Sequence, residues 1–316
     1  DYVLCWYQRR ELRGAFVTTY ENLCTIAKDL KMFVAFLFIS VLAGNVFMES
    51  SFRRVPEITE RQYGTRKTYM IFDPCNTNKP GNRTVSCSQI KMRDPSSKQT
   101  KHTIYPRDKP VEVECDMETD GGGWTVIQRR TKYEVKNNNF EKDLQHYESG
   151  FKTEGRALWI GLETLHELTS FPNNQQALRI ELKRKGATEP TVLLYHKFLV
   201  GSQAEHYKLT IADYEGPPDY EALSYHNGEK FTIKKSMTPN PDKDKCSDRL
   251  SGGWWFKECN KANLNGRNFK NAWELRTSKD LGITWHIKND QSYHYIYDSV
   301  EMKIRDDDYG FCTGVF

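Results

Sequence analysis

The stretch CDMETDGGGWTVIQRR, residues 115–130, decides the fold. Asp120 is followed by Gly121, Gly122 and Gly123, residues that reach φ > 0 without a Cβ clash, and together they mark a tight turn. The residues after it alternate, with Trp124, Val126 and Gln128 on one side and Thr125, Ile127 and Arg129 on the other. β-Branched and aromatic side chains at period two predict a strand. The stretch therefore reads as strand, glycine turn, strand, with Cys115 where a disulfide could fix the turn.

Working outward, the chain has 316 residues, 13% aromatic and 28% charged, with a formal net charge of +4. That is a globular composition. The basic runs Lys183-Arg184-Lys185 and Lys234-Lys235 are too short for a nucleic-acid footprint, so no nucleic-acid partner is expected. Lys31 precedes an apolar run from Met32 to Ala43, with the small residues Val41 and Ala43 at its end. This reads as a secretory signal peptide and is short for a membrane span, which needs about 20 apolar residues. The expected organisation is a doubtful upstream extension at 1–31, a signal peptide at 32–44, an irregular linker at 45–84 and one compact domain at 85–316. Counted from Met32, six cysteines remain (Cys75, Cys87, Cys115, Cys246, Cys259 and Cys312), an even number that suits an oxidising, extracellular compartment. No C-x-x-C spacing suggests zinc. Asn82-Arg83-Thr84 is a glycosylation sequon.

Further strands are expected over ALRIELKRKG and its hairpin partner TVLLYHKFLV, and over SVEMKIRDDD; GLETLHELTS has leucines at helical spacing. Antiparallel neighbours, short helices and long loops argue an α+β class. Protease, esterase, P-loop and dinucleotide motifs are missing from the sequence, and its eight histidines are scattered, so an enzyme is not expected.

CSDRLSGGWWFKECNKANLNG, residues 246–266, completes the pattern. With residues 115–130, ALWIGLETLHELT and SVEMKIR, it resembles the fibrinogen C-terminal domain family, and within it the secreted tachylectin- and ficolin-type lectins. The resemblance runs from Cys87 to about Arg305. It implies a small N-terminal subdomain, a central twisted antiparallel sheet and a loop-rich C-terminal subdomain that binds ligand. It also implies disulfides Cys87–Cys115 and Cys246–Cys259. Cys75 and Cys312 are left either to pair with each other or to link subunits by self-association.

The same resemblance implies an acetyl-sugar pocket beside the second bridge, often with a non-proline cis peptide before its second cysteine, here Glu258–Cys259. Tyr293 matches a pocket tyrosine. Leu250 replaces an aromatic, Asn260 a histidine, and Lys279-Asp280 a Tyr-Ala pair. The candidate ligand set is Tyr293, Asn260, Trp285 and Tyr295, although Tyr293, Tyr295, Tyr297 and Trp285 read equally as core aromatics on a strand. The family's calcium loop should follow Phe231-Thr232, where this chain has Ile233-Lys234-Lys235; cations there are poor company for Ca²⁺. Asp242 and Asp244 are the acids that could rebuild a shifted site, and calcium binding is expected to be weakened or lost. Expected partners are extracellular glycans or glycoproteins. The competing expectation is an adhesion or structural protein with a degenerate sugar pocket.

Overall fold

The structure is a computed structural model that describes residues 57–63 and 66–72 (backbone), 84–107, 109–170, 175–234, 250–258, 260–290, 295–307 and 309. It divides into two compact units, residues 1–73 and 74–316. In the first, β1 (Glu57–Tyr63) pairs antiparallel with β2 (Arg66–Phe72), from Glu57 opposite Phe72 to Tyr63 opposite Arg66. This corrects the expectation that 45–84 is irregular. Strand formers such as Ile58, Tyr63, Tyr69 and Ile71 flank a Gly-Thr dipeptide that favours a tight hairpin. The interspersed charges hid the pattern.

The second unit holds strands β3 (Lys101–Ile104), β4 (Val111–Asp116), β5 (Trp124–Thr131), β6 (Phe151–Lys152), β7 (Leu158–Trp159), β8 (Gln176–Arg184), β9 (Thr191–Val200), β10 (Leu209–Glu215), β11 (Thr232–Lys234), β12 (Gly252–Trp254), β13 (Ala262–Asn263), β14 (Thr284–Trp285) and β15 (Tyr297–Asp306). Its helices are α1 (Cys87–Arg93), α2 (Leu144–Ser149), α3 (Leu162–Thr169) and α4 (Ala272–Ser278). Nine strands form one antiparallel sheet in the order β10-β9-β8-β15-β5-β4-β3, with β7 joining β5 to β6. The α+β expectation holds.

Leu178, Ile180 and Leu182 of β8 lie opposite Ile304, Met302 and Val300 of β15, and all six are buried. Directly opposed residues share a face, so these make the apolar side of the sheet, over which α3 packs Leu162, Leu165 and Leu168. The other side carries an ion network. Arg129 pairs with Glu114 and Glu301, and Lys303 pairs with Asp116, Glu181 and Glu301. Burial alone would raise the Asp116 pKa, but hydrogen bonds from Lys303 and Thr119 outweigh it and hold the carboxyl well below the usual range.

One detail of β5 departs from simple alternation. Gln128 lies opposite Met302, but Val126 lies opposite Lys303, so Ile127 is an extra residue. This bulge reverses the alternation along the strand. Trp124 and Val126 face the ion network, while Gln128 and Arg130 turn to the apolar side. The predicted grouping of Trp124, Val126 and Gln128 on one face is thereby corrected.

The opening turn is built as expected. Asp120, Gly121, Gly122 and Gly123 have φ of 50°, 80°, 78° and 78°. A Cβ on Gly122 would sit 2.3 Å from the Met117 carbonyl oxygen, so only glycine fits. Arg305 clamps the turn by donating to the carbonyls of Asp120 (2.6 Å) and Gly122 (2.9 Å), its guanidinium 4.1 Å from the Trp124 ring centre and 4.4 Å from that of Tyr309. The Cys87–Cys115 disulfide is formed, with Cα atoms 5.7 Å apart, and ties the start of α1 to β4.

Candidate functional site

The bulge in β5 positions the loop-rich C-terminal part. Gln128 Nε2 donates to the Leu264 carbonyl at 2.9 Å, and Arg130 Nη1 donates to the carbonyls of Leu264 (3.2 Å) and Gly266 (2.6 Å). The Arg130 charge is matched by Glu134, Nη2 to Oε2 3.0 Å, with both side chains at most 1% exposed. Glu134 also accepts from the Thr131 amide and Asn268 Nδ2. Asn265 Nδ2 then donates to the Gly253 carbonyl at 2.9 Å and Asn263 Nδ2 to that of Ser251 at 3.0 Å. So the Asn-Leu-Asn-Gly segment is bound to the sheet on one side and to Gly-Gly-Trp-Trp on the other. Gly252, at φ +78°, admits the Asn265 carbonyl where a Cβ would lie 2.3 Å away.

The residues on both sides of Cys259 are pinned by one histidine that the sequence did not single out. His226 Nε2 accepts from the amides of Lys261 (3.3 Å) and Ala262 (3.0 Å), so the proton sits on Nδ1, which donates to the Trp255 carbonyl at 2.8 Å. Burial pushes the His226 pKa down to about 4, with Lys257 and Lys261 acting in the same direction and the Trp255 carbonyl opposing. The ring is therefore neutral at pH 7. Next to it, the Tyr225 hydroxyl donates to the Glu258 carbonyl at 2.7 Å. Lys257 and Lys261 place ammonium nitrogens 4.7 and 4.3 Å from the Tyr225 ring centre. The His286 pKa is lowered by burial and by Lys261. Tyr225, His226, Lys257 and Lys261 thus form a rigid aromatic and cationic ledge. Nothing in their sequence spacing announces it, because Tyr225-His226 and residues 255–262 meet only in the folded chain.

The candidate residues fall in different surroundings. Trp285 is fully buried, its Nε1 donating to the Tyr220 carbonyl at 2.8 Å, and β14 places it opposite Ala262. It is a core side chain beside Ala262 rather than one facing solvent. Asn260 is also buried. Tyr295 is half-buried, donates its hydroxyl to the Asp290 carboxylate and packs its ring 3.6 Å below the Arg184 guanidinium. Tyr293, Cys75, Cys246, Cys259, Cys312, Asn82, Asp242, Asp244 and the Glu258–Cys259 peptide lie outside the described residues. Among the described residues, no group of three or more His, Cys, Asp or Glu side chains is arranged to hold a metal ion. What the described residues display here is a backbone held by side chains and an aromatic ring with two ammonium groups near it, an arrangement suited to binding.

Comparison with known proteins agrees. Residues 84–307 match the family model described as the fibrinogen beta and gamma chains, C-terminal globular domain. Mouse angiopoietin-4 is 36% identical over 209 residues, human tenascin-N 36% over 226, and ryncolin-4 of Cerberus rynchops 34% over 211. These alignments cover 66%, 69% and 65% of this chain but only 39%, 16% and 56% of the relatives' own length. Among solved structures, the fibrinogen-like globe domain of human ANGPTL2 superposes with a TM-score of 0.57 at 26% identity, over 71% of this chain and 99% of that one. The corresponding domain of human ANGPTL6 gives 0.56 at 26% identity, over 72% and 98%. Proteins of the fibrinogen-like domain families, angiopoietins, ficolins and tenascins among them, are binding proteins rather than enzymes. The chain belongs to the fibrinogen C-terminal globular domain family.

Proposed function

We propose that the protein is a secreted, extracellular recognition protein of innate immunity that binds acetylated glycans through the loop around Cys259. The observation that carries this reading is that both flanks of Cys259 are held by the chain's own side chains, by His226 on Trp255 and Ala262 and by Tyr225 on Glu258. A preformed loop loses less entropy on binding. The Cys87–Cys115 disulfide supports an oxidising compartment, as does the short apolar run at 32–43. Among the described residues, no helix is long and apolar enough to cross a membrane. In this reading Tyr293 supplies the aromatic wall against the acetyl methyl group, and Cys246–Cys259 closes the loop. Calcium binding is weakened or lost, since the backbone of Thr232–Lys234 is committed to pairing with β12 and the sequence places Lys234-Lys235 where acids would be needed.

An adhesion role is favoured by a different observation: angiopoietin-4 and tenascin-N match as well as ryncolin-4 does. A glycan array probed with the secreted full chain separates the two. Selective binding to N-acetylated sugars that vanishes in Tyr293→Ala supports the lectin reading. A blank array for protein that still binds a cell-surface protein overturns it in favour of adhesion.

A further inference from the structure

At one end of the central sheet, away from the Cys259 loop in sequence, lies an open cleft of about 290 Å³. The antiparallel order brings the ends of β5 and β8 beside the start of β15, and each supplies a lining residue: Lys132, Lys185 and Asp298. Lys270, Tyr133, Ile296, Tyr297 and the buried ring of Phe269 complete the lining. The segments are laced together, since Lys270 Nζ donates to the Lys132 carbonyl at 3.1 Å and Lys185 Nζ to the Lys270 carbonyl at 3.1 Å.

Three lysines thus meet one carboxylate in the lining. An ammonium carries three N–H groups, so a single backbone acceptor leaves Lys185 with two to offer. Among the described residues, Lys132, Lys185 and Lys270 make no ion pair, whereas Lys303, Lys257 and Lys288 do. Glu134 and Glu274 are the acids whose charge acts on Lys270, but Glu134 is committed to Arg130 and Glu274 also accepts from the Lys270 backbone amide. Burial lowers the Lys270 pKa, the mark of a cation partly stripped of water, which an anion would compensate. At the rim, Tyr133 is 71% exposed, with Lys132 Nζ 5.4 Å from its ring centre. Trp273, three residues beyond Lys270, is also 71% exposed.

From this juxtaposition we infer that the cleft binds a sulfated saccharide of the glycosaminoglycan type, with Lys132, Lys185 and Lys270 meeting sulfate oxygens and the exposed Tyr133 ring meeting a sugar face. The volume lies at the low end of small-ligand pockets and suits one substituted ring of a longer, surface-running chain. The cations are lysines rather than the forked arginines that favour bidentate phosphate recognition. The exposed Tyr133 ring beside lysines that make no ion pair among the described residues matches a ligand that is both anionic and faced with C–H groups. This inference does not rest on the acetyl-glycan reading, because none of these residues belongs to the Cys259 loop.

The test is calorimetric titration of the full chain with a heparin-derived octasaccharide and with the same octasaccharide desulfated and N-acetylated. Binding of the sulfated form, at least tenfold tighter than the desulfated form and weakened by salt, is expected. K132Q/K185Q, at exposed positions, should lower affinity about tenfold, consistent with two solvated ion pairs. Tyr133→Ala should weaken binding without changing its salt dependence, and Lys197→Gln, exposed on β9, should bind like the parent. Equal affinity for the desulfated sugar, unchanged affinity in K132Q/K185Q, or preference for a phosphopeptide of equal charge would each overturn the inference.

Discussion

The central sheet and the C-terminal segment from Leu250 to Asp290 solve the same packing problem by different means. In the sheet, long strands bury period-two apolar rows such as Leu178, Ile180, Leu182 and Val300, Met302, Ile304, and the backbone satisfies itself. In the C-terminal segment the strands are two or three residues long. There the buried backbone is satisfied by side chains: Gln128, Arg130, Asn263, Asn265 and His226. A buried polar group left without its partner costs about 1–3 kcal/mol, and a buried charge more. The sheet should therefore tolerate single changes that the binding segment cannot, and the two should answer differently to pH.

The largest effect is expected at the joint between them. Arg130→Met leaves the Glu134 carboxylate buried without its cation, a loss of about 3–5 kcal/mol. Urea unfolding should show it, and the double change R130M/E134L should recover a good part. A loss in Arg130→Met below about 1 kcal/mol, set against that range, would mean that the joint holds little.

The second effect belongs to the sheet side. Replacing Cys87 and Cys115 together by serine should cost about 2–4 kcal/mol through the unfolded state. Ligand affinity measured below the new melting temperature should stay as it was. If that affinity also fell, the two regions would not be separable.

Acid should weaken the C-terminal segment through His226. His226 titrates near 6.5 when unfolded and near 4 when folded, so the native state binds fewer protons between these values. Its contribution is complete above about pH 6.5 and is lost as pH falls towards 4, roughly 3 kcal/mol in all. Tryptophan fluorescence of the Trp254-Trp255 region during urea unfolding at pH 7 and pH 5 would follow this loss, and His226→Gln should flatten it. His196, at the sheet edge, has the opposite sign. Its pKa is raised by the Glu215 hydrogen bond and then by Asp307, so its contribution is present below the unfolded value and fades as pH rises through the folded one. Because that ring is 39% exposed, Glu215→Gln should change stability by less than about 1 kcal/mol. It is the smallest effect in the series.

This contrast also explains what the sequence could tell. The glycine turn, the strands of residues 176–200 and 297–306 and the short leucine helix follow from local periodicity, and local periodicity is written in neighbouring residues. The β5 bulge was illegible because Ile127 fits either alternation; only its opposed strand shows that it is extra. Nor could the ledge of Tyr225, His226, Lys257 and Lys261 be read, because its contacts join segments about 30 residues apart and mostly run from side chain to backbone. Trp285 was expected either among the ligand aromatics or in the core, and nothing near it in sequence announces that its buried indole donates to the Tyr220 carbonyl.

The most direct test is to titrate the secreted full chain with an N-acetylated sugar at pH 7.0 and at about pH 3.5, below the folded His226 value, recording hydrogen exchange in β8, β15 and residues 250–262 at each pH. Protonation of His226 removes the acceptor that holds the Lys261 and Ala262 amides. Sugar affinity and protection of residues 250–262 are expected to fall together at the lower pH, while β8 and β15 remain protected. Sugar binding that persists there with residues 250–262 deprotected, or a sheet that loosens first, would contradict the account.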